Sequence, residues 1–113
     1  MLVDKGRWSM GGSRSRTKGH NFERKMANIF KENGFIQARR GIQYRDGSEC
    51  PDVLGVKDFW IECKIGARPN IFAAIDQAKE AKGENQRAVV ITKKDRCDIL
   101  VTISLEDFLH LIT

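Results

Sequence analysis

The run Phe59-Trp60-Ile61-Glu62-Cys63-Lys64-Ile65 constrains the fold more than any other part of this 113-residue chain. Successive side chains of a strand point to opposite faces. Here both faces carry apolar groups, Ile61 on one and Trp60 on the other, as Val53 and Leu54 do shortly before. Strands of that kind sit inside a sheet covered on both sides. Glu62 and Lys64 interrupt the pattern, and charge in an interior strand is costly unless it is paired or holds a metal.

The spacing predicts two strands, 52–56 and 59–65, joined by a turn near Lys57-Asp58. Residues that oppose each other in a hairpin have a constant index sum. If the turn centres on Lys57, Asp52 stands opposite Glu62, and Gly55 supplies the flexibility the loop needs. Opposed residues share a face, and so do Glu62 and Lys64, two apart on one strand. Two carboxylates and one ammonium are thereby expected on one side of a central hairpin. Paired carboxylates repel unless a positive charge lies between them. An all-oxygen set suits magnesium, with manganese as substitute, rather than zinc. Such an ion activates water and stabilises charge on a scissile phosphate. Lys64 would orient the water and neutralise developing charge. Alternatively Asp52 is a turn residue after proline, and Glu62 and Lys64 are an exposed pair.

Periodicity places other elements around this hairpin. Phe22, Met26, Ile29 and Phe30 mark a helix over 21–33, with Asn21 as N-cap and Gly34 as a left-handed C-cap. Residues 35–40 read as a strand and 41–50 as a loop containing Asp46-Gly47-Ser48. A second helix is expected over 70–82, closed by Gly83, then strands at 87–92 and 97–103. Ser104-Leu105-Glu106-Asp107 is a capping box opening a last helix. The fold class is α/β: a central mixed five-stranded sheet flanked by helices, in the order α-β-β-β-α-β-β-α. Residues 1–15 are expected as a flexible basic N-terminal arm and 16–113 as one domain. The small basic stretch at 11–20 also reads as an ordered lead-in to the helix.

Charge is distributed unevenly. Residues 1–45 carry 11 Lys/Arg against 3 Asp/Glu, and residues 46–113 carry 9 against 12. A basic half beside an acidic half points to a polyanionic partner and a local carboxylate cluster. Arg14, Arg16, Lys18 and Arg24 lead into or lie on the first helix, and Arg39 and Arg40 follow on the next strand. Contacts of this type neutralise phosphates and position DNA without reading its sequence. The three cysteines, at 50, 63 and 97, lack C-x-x-C spacing, which disfavours a disulfide framework or zinc ribbon and fits a reducing cytoplasm. No apolar run approaches the roughly 18 residues of a membrane span.

Pro51-Asp52, nine residues, then Glu62-Cys63-Lys64 resembles the motif of the PD-(D/E)XK nuclease superfamily. Arg16-Thr17-Lys18-Gly19, Phe22-Glu23-Arg24 and Asn33-Gly34-Phe35 are similar to the opening of archaeal-type Holliday junction resolvases, and the likeness runs over roughly 16–92. It implies a restriction-endonuclease-like core and a magnesium-dependent endonuclease acting on branched DNA such as four-way junctions, as a homodimer. It further implies that Asp52 and Glu62 are metal ligands, with the backbone carbonyl of Cys63, and that Lys64 is the catalytic lysine. Glu23 would complete the site directly or through water, with a helix N-terminal acid favoured by the dipole as the nearly matched alternative. Gln77 resembles a helix glutamine near the site of related nucleases, the VRR-NUC group included, but a solvent-facing role suits it better. The loop Gly41 to Cys50 departs from the short Gly/Ser loop of these resolvases. A VRR-NUC-like or repair nuclease acting on flaps, ends or plain duplex is the alternative, and a non-catalytic DNA-binding module the third.

Overall fold

The computed structural model describes residues 4–42 and 49–113, with side chains from 14 onward. The loop residues Tyr44, Arg45 and Asp46-Gly47-Ser48 lie outside the described residues. Eight elements follow in chain order: α1 Asp4–Glu32, β1 Arg39–Arg40, β2 Val53–Leu54, β3 Phe59–Ile65, α2 Ile71–Ala81, β4 Arg87–Lys93, β5 Leu100–Thr102 and α3 Leu105–Ile112. The sheet runs β1-β2-β3-β4-β5, with β3 and β4 parallel and every other pair antiparallel. This is the mixed five-stranded α/β sheet anticipated from the sequence, with β3 at its centre.

Two layers cover the sheet. On one face Phe22, Met26 and Ala27 of α1 pack with Val53, Ile61, Cys63, Val89 and Ile91. On the other, Ala78 of α2 packs with Trp60 and Ala88. The odd residues of β3 therefore face α1, and its even residues, Glu62 among them, face the α2 side. The β3–β4 ladder crosses over through α2, the right length of connection for a parallel pair. At the N-terminus of α2 the Asn70 side chain accepts from the Ala73 N–H at 3.0 Å, and Ser104 caps α3 in the same way through Asp107 at 3.1 Å. Each satisfies one of the N–H groups a helix start leaves open.

Helix α1 departs from expectation at its start. It absorbs the stretch read as a basic arm from residue 4 onward, and Asn21 lies in mid-helix rather than at a cap. Gly and Ser have low helix propensity, but extending an existing helix adds one hydrogen bond per residue, whereas nucleation is the costly step. Once Phe22, Met26 and Ala27 dock the C-terminal half, extension can continue backwards. The end of α1 matches expectation. Gly34 has φ +106°, the Phe35 N–H donates to Phe30 O at 3.0 Å, and the Gly34 N–H donates to Lys31 O at 3.2 Å. These are the two bonds of a Schellman motif. The accompanying hydrophobic contact is present too: the Phe30 and Phe35 rings meet edge-on at 5.7 Å.

Three strands are shorter than expected. The turn after α1 continues to Ala38, whose N–H donates to Phe35 O, so pairing begins only at Arg39. β2 is confined to Val53–Leu54 because Asp52 bends on one side and Gly55, at φ +87°, turns the chain on the other. A Cβ at Gly55 would stand 2.2 Å from Gln37 O, so only glycine fits. β5 spans Leu100–Thr102 rather than 97–103, since the chain is still turning where the Cys97 N–H donates to Lys94 O. α2 ends at Ala81, and Lys82 leaves it in extended conformation just before Gly83.

Candidate active site

The hairpin register is the one the index argument requires: Val53 pairs with Ile61, so Asp52 opposes Glu62. The backbone at Asp52 is twisted. Its N–H donates across to Ile61 O at 2.8 Å, while its carbonyl accepts from the Gly41 N–H, on the β1 side, at 2.9 Å. In a regular strand both groups would point the same way. The Asp52 side chain fills the resulting gap, its Oδ2 accepting the Cys63 N–H at 2.7 Å. Pro51, which has no N–H to satisfy, precedes this bend without cost to the ladder. Gly41 is required beside it, since a Cβ there would meet Pro51 O at 1.9 Å.

Glu62 is buried at 5% exposure and anchored by the Trp60 indole, whose Nε1–H donates to Oε2 at 2.7 Å. The two residues are two apart on β3 and so share a face. Burial, followed by the charge of Asp52 and a hydrogen bond shared with it, raises the Glu62 pKa from 4.5 to about 7. The Trp60 hydrogen bond and the Lys64 charge oppose that rise. Desolvation of the buried carboxylate is the main cause, and the facing Asp52 carboxylate adds to it.

Asp52 and Glu62 open into a polar cleft of about 240 Å³. Helix α1 contributes His20 and Glu23 to its wall, one turn apart, and α2 contributes Gln77 at the rim. Arg40, Glu49 and Cys50 also line it. Glu23 does not stand free: Arg40 Nε donates to its Oε1 at 2.9 Å, and both side chains are largely buried. Burial and then Asp52 raise the Glu23 pKa, and the Arg40 contact offsets part of that. Lys64 is half-buried on the same side of β3 as Glu62, and it does not line the cleft wall. Cys63 is buried toward α1, and desolvation pushes its thiol well above the ordinary value, which makes it inert as a nucleophile.

The other basic residues separate into groups. Arg14 and Lys18 line a groove on the far side of α1. Arg24 donates to Asn21 Oδ1 and Arg39 to Gln37 O, both at the surface, and Arg16 is exposed. Sequence reasoning missed Trp60, His20, Glu49 and Cys50 as cleft residues. Trp60 and His20 carried a signal, since the i+2 strand spacing to Glu62 and the i+3 helix spacing to Glu23 put each on the right face.

An α/β sheet that opposes Asp52 and Glu62 across its central hairpin, with Lys64 following, defines the chain as a PD-(D/E)XK-type nuclease fold. The model of the archaeal Holliday junction resolvase family (Hjc) matches residues 14–83. The chain belongs to that family. No curated protein and no solved structure gives a significant match. No helix among the described residues is long and apolar enough to cross a membrane.

Proposed function

We propose that the chain is a magnesium-dependent endodeoxyribonuclease that hydrolyses phosphodiester bonds in branched DNA, with Asp52, Glu62 and Lys64 as its catalytic core. The observation that carries this reading is the opposition of a buried Glu62 and Asp52 in one polar cleft.

The donor set fits a hydrated hard cation. Among the described residues no three His, Cys, Asp or Glu side chains converge as a ready-made cage. Magnesium does not require one, since it keeps several waters and takes one or two carboxylates. Asp52 and Glu62 would hold it. The Cys63 carbonyl would add an oxygen: its N–H points to Asp52, and N–H and C=O of a strand residue point to the same side. Glu23 would act through water, because Arg40 already engages one of its oxygens. Bound there, the ion supplies a lowered water pKa and charge neutralisation at the phosphate; manganese would substitute.

The chain's own residues do the rest. Trp60 fixes the Glu62 carboxylate in one orientation. The Cys63 N–H fixes Asp52. Lys64, two residues after Glu62 on the same face of β3, lowers the Glu62 pKa by its charge and would orient the attacking water. Arg40 brings a guanidinium to the cleft, where it neutralises Glu23 and can also meet a phosphate.

A homodimer completes the proposal, because paired nicking of a four-way junction needs two sites on two strands. Helix α3 supports it. None of its residues is buried, and Leu105, Phe108, Leu109, Leu111 and Ile112 are exposed, with Leu111 lining the same surface as Val101 of edge strand β5. Exposed apolar surface concentrated on one short helix is the kind that marks interaction sites. Light scattering at micromolar concentration should report a dimer, free and DNA-bound; a monomer in both states removes this part.

The test is a cleavage panel of four-way junction, flap, linear duplex and single strand, with magnesium and with EDTA. The expected result is metal-dependent nicking of the junction at least tenfold faster than of linear duplex. Equal rates on both would replace the junction with a flap, end or duplex substrate, and no cleavage of any would leave a binding module.

A further inference from the structure

Helix α1 presents a second, basic face. At roughly 100° per residue, Arg14, Lys18 and Lys25 stand about opposite Glu23 on the helix. They do not enter the carboxylate cleft. They line an open groove of about 600 Å³, together with Lys93 at the end of β4. Thr17 and Asn21 lie between the cations, and Phe22 and Ile65 form an apolar floor. No Asp or Glu lines this groove among the described residues. The Lys93 ammonium donates to the carbonyls of Lys94 and Cys97, which are neutral acceptors, and it meets no carboxylate among the described residues.

Building on the nuclease reading, we propose that this groove seats the sugar-phosphate backbone of the DNA at a point separate from the scissile phosphate, with Lys25 and Lys93 as contacts beside Arg14 and Lys18. Charge complementarity identifies the occupant. Four cations without an acid suit a row of phosphates, and an apolar floor suits the faces of deoxyribose rings rather than a hydrated free anion. Geometry links the groove to the cleft. The two are separated by the body of one helix, ~10 Å across. That is of the order of a B-DNA groove width, ~6–12 Å, so one duplex arm can occupy both. α1 is then the bar over which the arm is laid, with the cleft on one side and the phosphate seat on the other.

The experiment is a salt titration of binding to fluorescently labelled four-way junction, in EDTA so that nothing is cut. It compares the wild type with Lys25→Ala, Lys93→Met, the double variant, and Lys79→Ala on exposed α2 as control. Each groove lysine should lower the slope of log Kd against log salt by about 0.9, the double variant by about twice that. Binding by the double variant should weaken roughly tenfold or more at 100 mM salt. Lys79→Ala should change neither. Inorganic phosphate exchanged for chloride at constant ionic strength should leave wild-type binding unaltered. An unchanged slope in the double variant overturns the proposal, as does an equal loss in Lys79→Ala or specific competition by phosphate. If Lys93→Met disturbs folding by circular dichroism, Lys18→Ala with Lys25→Ala, both exposed helix positions, carries the same expectation. The nuclease reading fails separately: intact wild-type cleavage with an unchanged slope overturns the groove alone.

Discussion

The cleft and the groove flank the same helix, and they are built on opposite principles. The cleft concentrates negative charge where water is partly excluded. Glu62 is buried, Asp52 faces it, and each carboxylate is held by a donor from β3, the Trp60 indole for one and the Cys63 amide for the other. The groove spreads positive charge over an open surface, on long side chains with few fixed partners. Chemistry demands the first arrangement, since a reacting group must be held in position to be of use. Electrostatic holding of a polyanion needs only the second. A single helix face can carry one or the other, and α1 carries both by using two faces.

The comparison breaks if substitutions in the cleft behave like substitutions in the groove. A large effect is expected from Glu62→Gln, which should lower magnesium-dependent cleavage by about 10³-fold. It should leave the salt slope of binding unchanged. Groove variants should do the reverse, shifting binding and its slope while cleavage at saturating protein stays near wild type.

A smaller effect sharpens the account of how the cleft is held. Trp60→Phe keeps the ring and removes the N–H that donates to Glu62. Loss of such a supporting hydrogen bond typically costs 10–100-fold in metal affinity or activity. About tenfold in the magnesium concentration needed for half-maximal cleavage is expected, with DNA binding in EDTA untouched.

The smallest effect is on stability. Glu62 has a folded pKa of about 7, above its ordinary 4.5, so the folded chain holds this proton more tightly than the unfolded chain does. Its contribution is fully present below about pH 4.5 and is lost as pH rises through about 7. Urea midpoints of the metal-free protein should therefore decline from pH 5.5 to 8 more steeply in the wild type than in Glu62→Gln. Magnesium should restore the wild type at the upper end, because the proton and the ion compete for the same oxygens. Identical pH profiles in the two proteins would mean that the carboxylate is not strained by its surroundings.

Much of the cleft was legible in the sequence, because its core is local. Asp52 and Glu62 meet through a hairpin, and hairpin register follows from counting once the turn is placed. The left-handed end of α1 and the cap at Ser104 were legible for the same reason. What escaped was non-local. Nothing in the sequence joins Arg40 to Glu23, which lie 17 residues apart and meet only because β1 folds back along α1. Lys93 reaches the α1 groove from a strand still farther along the chain, so the groove does not exist until the sheet does. Strand length escaped as well. β1 and β2 are cut short by the turn after α1, by the bend at Asp52 and by the glycine fit at Gly55, all steric details that an alternation of apolar residues does not encode.

The most direct test of the central claim is Asp52→Asn, assayed for cleavage of a four-way junction in magnesium and for binding to it in calcium. The substitution preserves shape and removes the charge that faces Glu62. If Asp52 and Glu62 hold the ion, cleavage should fall by about 10³-fold or more while junction affinity stays within about threefold of wild type, since the phosphate contacts lie elsewhere. Cleavage that persists at the wild-type rate in the folded variant would contradict the assignment of this cleft as the active site.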